Sequence, residues 1–373
     1  MRLRIATFNI ENLAARDAFG KSARPETKAA LSLFDFSEPR DRENAERAIA
    51  LMVEDEKRQA TALAIAEARA DVLICQEVDN LGVLQPFLAN YVHEFTDLRY
   101  GHLKVIDGND PRGIDVAFAA RRDLVAGKND VRFKSHHERT FGELGVLDES
   151  LAEFGIGPDD LVFNRDCLEA TLDLGEAELT IFACHFKSMG QPDKGGRDAT
   201  RPIREAEAKA VRAIVQERFG DEWREANWIV AGDLNDFRER ILAGGRAERS
   251  LPSGIDVLFD DFGVNPVERL LPAERWTLFH QAMLKDGSLV EEHVQLDYLL
   301  LSPALAAANP EPAVEIVRRG LPYRVPLDPA HPDRSVAYLA TRADRYPRVG
   351  WDRPKASDHC PLVVEIDVPP RRL

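Results

Sequence analysis

Five short stretches of the chain are almost continuously apolar and are bordered by polar residues. They are residues 3–10, 70–78, 228–233, 296–302 and 361–366. A short apolar run with polar borders is typical of a strand that is buried on both faces. Three less uniform runs predict further strands, and the last two of them form a hairpin-like pair: residues 113–120, 167–174 and 179–185.

Two longer stretches, residues 41–70 and 202–219, have the periodicity of helices. In the second stretch Val211, Ile214 and Val215 lie on one side and charged residues lie on the other. Strands and a helix recur in the same order in the N-terminal and C-terminal halves of the chain, and no Gly/Ser-rich linker divides these halves. The pattern therefore predicts one α/β domain over residues 1–373, with two packed sheets flanked by helices.

Two segments do not fit this pattern and are predicted to be insertions, near residues 14–40 and 320–355. The second is rich in proline and arginine, with Tyr323, Tyr338, Tyr346 and Trp351 interleaved. Basic residues alternating with aromatic ones favour contact with phosphates and single strands. This segment is our candidate for the element that selects the substrate, although its arginines could instead pair with its own aspartates.

Composition narrows the class of protein. Of the 373 residues, 44% are hydrophobic and 30% are charged, as in a globular protein, and the net charge is −15. A strongly acidic chain argues against tight, non-specific binding of a polyanion, although a bound cation reverses the charge locally. The four cysteines have no zinc-type spacing and predict buried free thiols. We expect a cytoplasmic protein without a membrane span and without an evident obligate protein partner.

Polar residues recur where the apolar runs end. Each has an ordinary explanation when it is taken alone, as a rim residue or a turn residue. Together they combine hard oxygen ligands, which suit Mg²⁺ or Mn²⁺, with imidazoles, which suit proton transfer. These residues are Asn9, Glu11, Glu77, Asp233, Asn235, Asp297, Asp358 and His359.

The segments that carry these residues resemble, in the same order, the motifs of the DNase I-like endonuclease/exonuclease/phosphatase superfamily. They are F-N-I-E-N-L, I-C-Q-E-V, A-G-D-L-N-D, L-D-Y and S-D-H-C-P, and they extend over almost the whole chain. The resemblance implies a two-sheet, four-layer α/β/β/α sandwich. It also implies a metal-dependent hydrolase of phosphate esters.

The resemblance implies a role for each matching position. Asn9, Glu11, Glu77 and Asp358 would lie at the metal, with Glu77 as the principal ligand of Mg²⁺ or Mn²⁺. The sequence leaves open whether a second divalent ion joins the first.

The remaining motif positions would act on water and phosphate. Asp233 would orient or deprotonate the attacking water, and Asn235 would hold a phosphate oxygen. His359 would contact the scissile phosphate, with Asp297 fixing its ring. His185, in A-C-H-F-K-S, would protonate the leaving oxygen, a position that carries tyrosine in other branches of the superfamily.

Three basic residues are candidates for binding the substrate phosphate. Arg112 and Arg165 lie in segments that resemble the middle strands of the superfamily, and Lys187 follows His185. A guanidinium binds phosphate oxygens in a bidentate way. The alternatives are structural ion pairs for the arginines and a solvated side chain for Lys187.

The core motifs do not separate the substrates of the superfamily. The H-F-K-S motif, a basic helix start and the segment 320–355 favour a nuclease acting on DNA or RNA. A phosphatase or phosphodiesterase on a small or lipid-linked ester, such as an inositol phosphate, is the rival that the net charge favours. A catalytically inactive binding module is the third hypothesis. Apurinic-site repair members are less similar, because Phe8 stands where they usually carry tryptophan.

Overall fold

The computed structural model describes residues 1–14, 31–125, 131–190, 195–241, 247–283, 289–322, 345–350 and 353–371, with the backbone alone at 280–283 and 289–292. Within these residues the strands form three sheets. No helix among them is both long and apolar enough to cross a lipid bilayer.

The first sheet carries the N-terminal strand near its middle. In spatial order its described strands are β14 (Ala313–Ile316), β15 (Leu362–Asp367), β1 (Arg2–Leu13), β2 (Val72–Val78), β4 (Asp115–Arg121) and β3 (Tyr100–Val105). Strand β1 pairs in parallel with β2 and antiparallel with β15. The first and last apolar runs of the sequence are therefore neighbours in space.

The second sheet has β8 and β7 as a parallel pair, with antiparallel strands on both sides. Its order is β13 (Asp297–Leu301), β8 (Trp228–Asp233), β7 (Glu178–His185), β6 (Cys167–Asp173) and β5 (Val131–Lys134). A small third sheet inserts between β8 and β13 along the chain. Its order is β10 (Ala247–Arg249), β9 (Glu239–Ile241), β12 (Leu289–Val294) and β11 (Leu278–Met283).

Two long helices account for most of the helical structure described. They are α1 (Pro39–Ala68) and α5 (Gly196–Phe219). The shorter helices are α2 (Leu81–Phe87), α3 (His93–Phe95), α4 (Phe141–Leu144) and α6 (Pro303–Ala308), and a π turn (Leu88–Val92) joins α2 to α3. Short 3₁₀ turns lie at Glu149–Phe154, Gly220–Arg224, Asp256–Leu258, Pro266–Arg269 and Pro272–Glu274.

Four layers result from where the apolar side chains lie. The two large sheets pack face to face through a shared core that includes Ile5, Ile74 and Phe118 from the first and Ile181 and Leu299 from the second. Helix α1 covers the outer face of the first sheet with its small residues, and α5 covers the second with Val211, Ile214 and Val215. Because strands of both sheets are apolar on both faces, each large sheet needs a cover on its outer side.

The observed elements match the predicted ones except where the apolar signal is short. Helix α5 begins at Gly196, six residues before the predicted start, so Pro202 lies inside it. The third sheet, the strands β3, β5 and β14, and the short helices were not predicted: α2, α3, α4 and α6. All four cysteines are free and buried, as expected. The single-domain organisation stays a prediction, which the shared core between the sheets supports.

Candidate functional site

Three neighbouring strands of the second sheet each contribute a terminal residue to the same row of side chains. His185 is the register partner of Asp233 across the parallel pair β7–β8, and Asp297 is its partner across the antiparallel pair β8–β13. The residue before Asp233 must be glycine, since a Cβ on Gly232 would lie 1.9 Å from the carbonyl oxygen of Cys184. Sheet register alone therefore gathers an imidazole and two carboxylates.

The first sheet contributes Asn9 and Glu77 through irregularities in its pairing. The register of β1 with β2 shifts after Asn9, and that of β2 with β4 shifts after Gln76. Glu77 has a φ of 65°, in the left-handed region that non-glycine residues rarely adopt. Such bulges re-aim a side chain, and this backbone conformation costs on the order of 1–3 kcal/mol. Glu77 is thereby turned out of the ladder towards Asn9.

The loop before β15 brings the last motif to the same place. The Ser357 hydroxyl donates to the Asn9 carbonyl oxygen at 2.7 Å, and it accepts the His359 backbone N–H at 3.1 Å. His359 also forms an isolated bridge with Leu278 of β11. The serine of S-D-H thus joins the loop to β1, which positions the two residues that follow it.

The Asp233 carboxylate lies at the centre of the site and is almost fully buried. Its Oδ2 atom lies 3.6 Å from His185 Nε2 and 3.8 Å from His359 Nε2, and it accepts a hydrogen bond from Asn9 Nδ2 at 3.0 Å. The Asn235 backbone N–H donates to its Oδ1 at 2.9 Å. Residues predicted separately from both halves of the chain therefore meet at one carboxylate. We refer to His185, Asp233, Asp297 and His359 as the Asp233 centre.

Opposite electrostatic effects act on the two imidazoles. Burial opposes the charged form of His359, but Asp297, at 2.8 Å from Nδ1, and Asp233 raise its pKa well above the usual value. Burial and the cations Arg165 and His359 lower the pKa of His185 well below its usual value. His359 is therefore an imidazolium at neutral pH, whereas substrate-free His185 is neutral.

Burial also shifts the carboxylates. It raises the pKa of Asp233 to about 7, with His359 acting in the opposite direction and Asp297 adding to the rise. A group with a pKa near neutrality both accepts and releases a proton at working pH. Asp233 thus has the electrostatics of a general base.

The predicted metal residues Asn9, Glu77 and Asp358, which we call the metal end, fit a hard divalent cation. Asn9 Nδ2 lies 3.4 Å from Glu77 Oε1, and burial, with the nearby Asp358 charge, raises the pKa of Glu77. Like charges that lie close together in a buried place are stabilised by a cation between them. A second group of donor atoms, from Asp233, Asp297 and His359, lies within 4.8 Å of one another. The metal end is the better fit for Mg²⁺, because the His359 ring is already hydrogen-bonded to Asp297.

Glu11 does not join Glu77 in the structure. Its carboxylate pairs with Arg353 at 3.3 Å and with Lys355 at 3.2 Å, and its carbonyl oxygen accepts a hydrogen bond from Lys57. Lys355 also lowers the pKa of Asp358, against the effect of burial. Glu11 therefore anchors the basic segment before S-D-H to β1, and this ion pairing competes with the predicted metal contact.

The two predicted phosphate-binding arginines share one partner, Asp110, which was not among the predicted site residues. Arg165 is buried, with Nε 2.9 Å from Asp110 Oδ2, and its Nη1 donates to the Phe186 carbonyl at 2.8 Å. Arg112 is 61% exposed and pairs with the same carboxylate. Arg165 is thus held as a structural group beside the centre, while Arg112 can reach a ligand.

The side chains of Asn235 and Lys187 differ in their contacts, and their roles in binding phosphate stay predictions. The Asn235 side chain is buried and donates to the Phe186 carbonyl at 3.0 Å and to Asp233 at 3.3 Å. The Lys187 backbone N–H donates to the buried carboxyl of Glu207 at 2.7 Å, and its half-buried side chain has no polar partner in the described chain. Glu207, on α5, was also missed, because a glutamate in an amphipathic helix predicts a solvated face.

The two predicted insertions lie largely outside the described residues, which omit 15–30, 323–344 and 351–352. Tyr323, Tyr338 and Trp351 belong to these stretches. Tyr346 is described, and it is buried, with its hydroxyl donating to Glu67 at 2.7 Å and Arg319 over its ring. Tyr346 therefore packs in the protein and is not a stacking platform for substrate.

Known structures share this fold at low sequence identity. Truncated Caenorhabditis elegans TDP2 aligns over 98% of both chains, with a TM-score of 0.51 and 13% identity. A Bacteroides thetaiotaomicron family protein aligns over 98% of this chain and 97% of its own, with a TM-score of 0.48 and 13% identity. The Leishmania major AP endonuclease LMAP aligns over 99% and 88%, with a TM-score of 0.49 and 14% identity.

No curated protein matches the sequence significantly. The profile of the Endonuclease/Exonuclease/phosphatase family, whose members are generally phosphoester hydrolases that use divalent metals, matches residues 6–359. The predicted resemblance and the predicted four-layer sandwich are thereby confirmed. The chain belongs to the endonuclease/exonuclease/phosphatase family.

Proposed function

We propose that this protein is a divalent-metal-dependent phosphodiesterase, and that its substrate is DNA or RNA. The observation that carries the proposal is the Asp233 centre, in which one buried carboxylate lies within 4 Å of two imidazoles. The metal end lies beside this carboxylate. In this proposal Asp233 is the base, His359 is the cation and Glu77 lies at the metal-binding edge. In-line attack of water on a phosphodiester needs these three functions.

Glu77 and Asn9 would hold the metal, Mg²⁺ or Mn²⁺, with Asp358 close by. When bound, a divalent ion there supplies charge stabilisation to a phosphoryl oxygen. Asn9 has a second task, because its Nδ2 also donates to Asp233 and so fixes the base relative to the metal end. Glu11 would act indirectly, through the basic residues that it binds.

The protein's own groups would move the proton. Asp233 takes a proton from the attacking water, which suits a pKa of about 7. The His359 imidazolium, held by Asp297, would stabilise the negative charge that develops on the phosphate. A bound phosphate diester would add negative charge beside His185 and raise its pKa, so that this imidazole can carry the proton to the leaving oxygen.

The basic groups around the centre favour a polymeric phosphodiester over a small ester. Arg112 is exposed beside the centre, and the half-buried Lys187 lies two residues after His185 along the chain. The rival, a small or lipid-linked phosphate ester, rests on the net charge of −15.

A substrate panel tests this proposal. Supercoiled DNA, single-stranded DNA, RNA, an inositol phosphate and a generic phosphodiester are each incubated with Mg²⁺, Mn²⁺ or EDTA. We expect cleavage of a nucleic acid that requires the metal and is lost in EDTA. Cleavage of the inositol phosphate alone supports the rival, and no cleavage in any condition contradicts the proposed activity.

Salt dependence separates the two substrate classes further. Binding of a nucleic acid that neutralises several phosphates weakens steeply as salt rises, whereas binding of a small ester changes little. We expect the KM for nucleic acid to rise at least about tenfold between 50 and 200 mM salt. A KM that is flat over this range contradicts the nuclease proposal and leaves the hydrolase proposal standing.

A further inference from the structure

One buried carboxylate, that of Asp110, holds both arginines beside the Asp233 centre. Arg112 Nε lies 3.0 Å from Asp110 Oδ1 and Arg112 Nη2 lies 2.9 Å from Oδ2, a bidentate pair. Arg165 Nε lies 2.9 Å from the same Oδ2. Asp110 is 7% exposed, whereas the Arg112 side chain is 61% exposed. A buried anchor therefore carries an exposed guanidinium.

The local sequence D-P-R-G explains why this anchor is rigid. The Gly113 backbone N–H donates to the Asp110 carbonyl at 3.0 Å, and Gly113 has a φ of 64°. The Arg112 backbone N–H donates to Asp110 Oδ1 at 2.9 Å. Aspartate before proline and glycine at the fourth position are typical of a tight turn whose first side chain caps its own backbone.

The geometry leaves one edge of the Arg112 guanidinium available. Its Nε and Nη2 atoms face Asp110, and its Nη1 atom makes no hydrogen bond with the described residues. Burial is the main cause of the lowered pKa of His185, and the Arg112 charge adds to it. The Asp110 hydrogen bond is the main cause of the raised pKa of Arg112, and the Glu77 charge adds to it. The Arg112 guanidinium is therefore within electrostatic reach of the metal end and of the proposed acid.

The same carboxylate is also linked to the strand that carries His185. Arg165 bridges Asp110 to the carbonyl oxygen of Phe186, the residue after His185. Asn235 donates to the same carbonyl. Asp110 thus lies at the junction between the D-P-R-G turn and the Asp233 centre.

We propose that Asp110 is a positioning residue, which presents the free edge of the Arg112 guanidinium to a phosphate of the substrate. This inference rests on the proposed function. An arginine side chain is long and mobile when it has no partner. A guanidinium that is already held in place loses less conformational entropy when it binds a phosphate. Asp110 would therefore govern substrate binding more than the chemical step. A purely structural ion pair would affect folding stability and leave KM unchanged.

A double-mutant cycle in the full chain tests the inference. Asp110→Asn, Arg112→Ala and the double variant are compared in kcat, KM and thermal unfolding. We expect each single variant to raise KM about tenfold, as for the loss of a charge-assisted hydrogen bond, with kcat changed less than threefold. The double variant should match Arg112→Ala. Additive effects, or an unchanged KM in Asp110→Asn, would overturn the proposal.

Asp123→Asn is the matched control. Asp123 lies two residues from Arg121 and holds it in the same bidentate way, at 2.9 and 3.2 Å, but it is 75% exposed. We expect no change in its KM. If Asp110→Asn does not fold, Asp110→Glu replaces it. Glutamate keeps the negative charge that pairs with Arg165 but shifts the position of the Arg112 guanidinium. It should raise KM at unchanged stability, and a KM equal to that of the wild type would overturn the proposal.

A binding measurement separates failure of this inference from failure of the proposed function. Inorganic phosphate is titrated into the wild-type protein and Asp110→Asn in EDTA by calorimetry, which needs no turnover. Tighter binding by the wild type, about tenfold, supports the role of Asp110 even if no ester in the substrate panel is cleaved. Equal binding, or no binding to either protein, overturns the inference even if the wild type cleaves nucleic acid.

Discussion

The Asp233 centre and the neighbouring arginine pair, Arg112 and Arg165, lie side by side but are fixed in different ways. Strand register sets three of the four residues of the centre, since His185 and Asp297 are the pairing partners of Asp233. The arginines are set by a side chain, Asp110, that comes from a turn. Register is a property of the whole sheet, whereas an ion pair depends on a single partner. The centre is therefore the more resistant of the two regions to substitution around it.

The largest expected effect comes from removing a ring of the centre. His359→Ala removes the imidazolium that Asp297 and Asp233 hold, and we expect kcat to fall by about 10³-fold. His102→Ala, on β3, is the control, because among the described residues its ring makes a polar contact with the Arg122 carbonyl alone. A fall of less than tenfold in His359→Ala would show that the centre is not where the chemistry occurs.

A smaller effect is expected at the metal end. Glu77→Gln removes the charge that, with Asn9 and Asp358, would hold the cation. We expect the Mg²⁺ concentration at half-maximal activity to rise about 10- to 100-fold, with partial recovery of kcat at saturating metal. The readout is a metal titration of activity, with Glu11→Gln alongside. An effect of Glu11→Gln as large as that of Glu77→Gln would contradict the ion-pairing role of Glu11.

The smallest effect lies outside the centre, at Glu207. Burial raises its pKa to about 7, so between pH 4.5 and 7 the folded protein keeps a proton that the unfolded chain has lost. Stability therefore falls as pH rises through this window. Relative to Glu207→Gln, the wild type should lose about 2 kcal/mol between pH 5 and 7.5. Chemical denaturation at several pH values measures the free energy of unfolding of both proteins. The same pH dependence in the wild type and in Glu207→Gln would contradict the raised pKa of Glu207.

The sequence predicted the centre well, because the signal and the structure share one cause. Asp233 and Asp297 stand at the ends of apolar runs, and those runs are the strands whose register joins them. The four layers followed for the same reason, since runs that are apolar on both faces need covers on both sides. Glu77 was identified from its motif, but its left-handed backbone was not predictable from residue type.

The surroundings of the centre were less predictable. Arg165 was identified as a cation, but its partner Asp110 lies 55 residues earlier along the chain. Glu11 was predicted at the metal, yet Arg353 and Lys355, more than 340 residues away, bind its carboxylate. Periodicity and spacing do not encode such long-range pairs. The third sheet was missed because its strands β9 and β10 have only three residues each.

One measurement tests the central claim most directly: turnover of a chromogenic phosphodiester by the wild type and by Asp233→Asn, in Mg²⁺ and in EDTA. Asparagine keeps the shape of Asp233 but cannot accept the proton. We predict metal-dependent turnover by the wild type and a fall of about 10²–10⁴-fold in the variant, at unchanged or higher thermal stability. Turnover by Asp233→Asn within threefold of the wild type, or equal turnover in EDTA, would contradict the account.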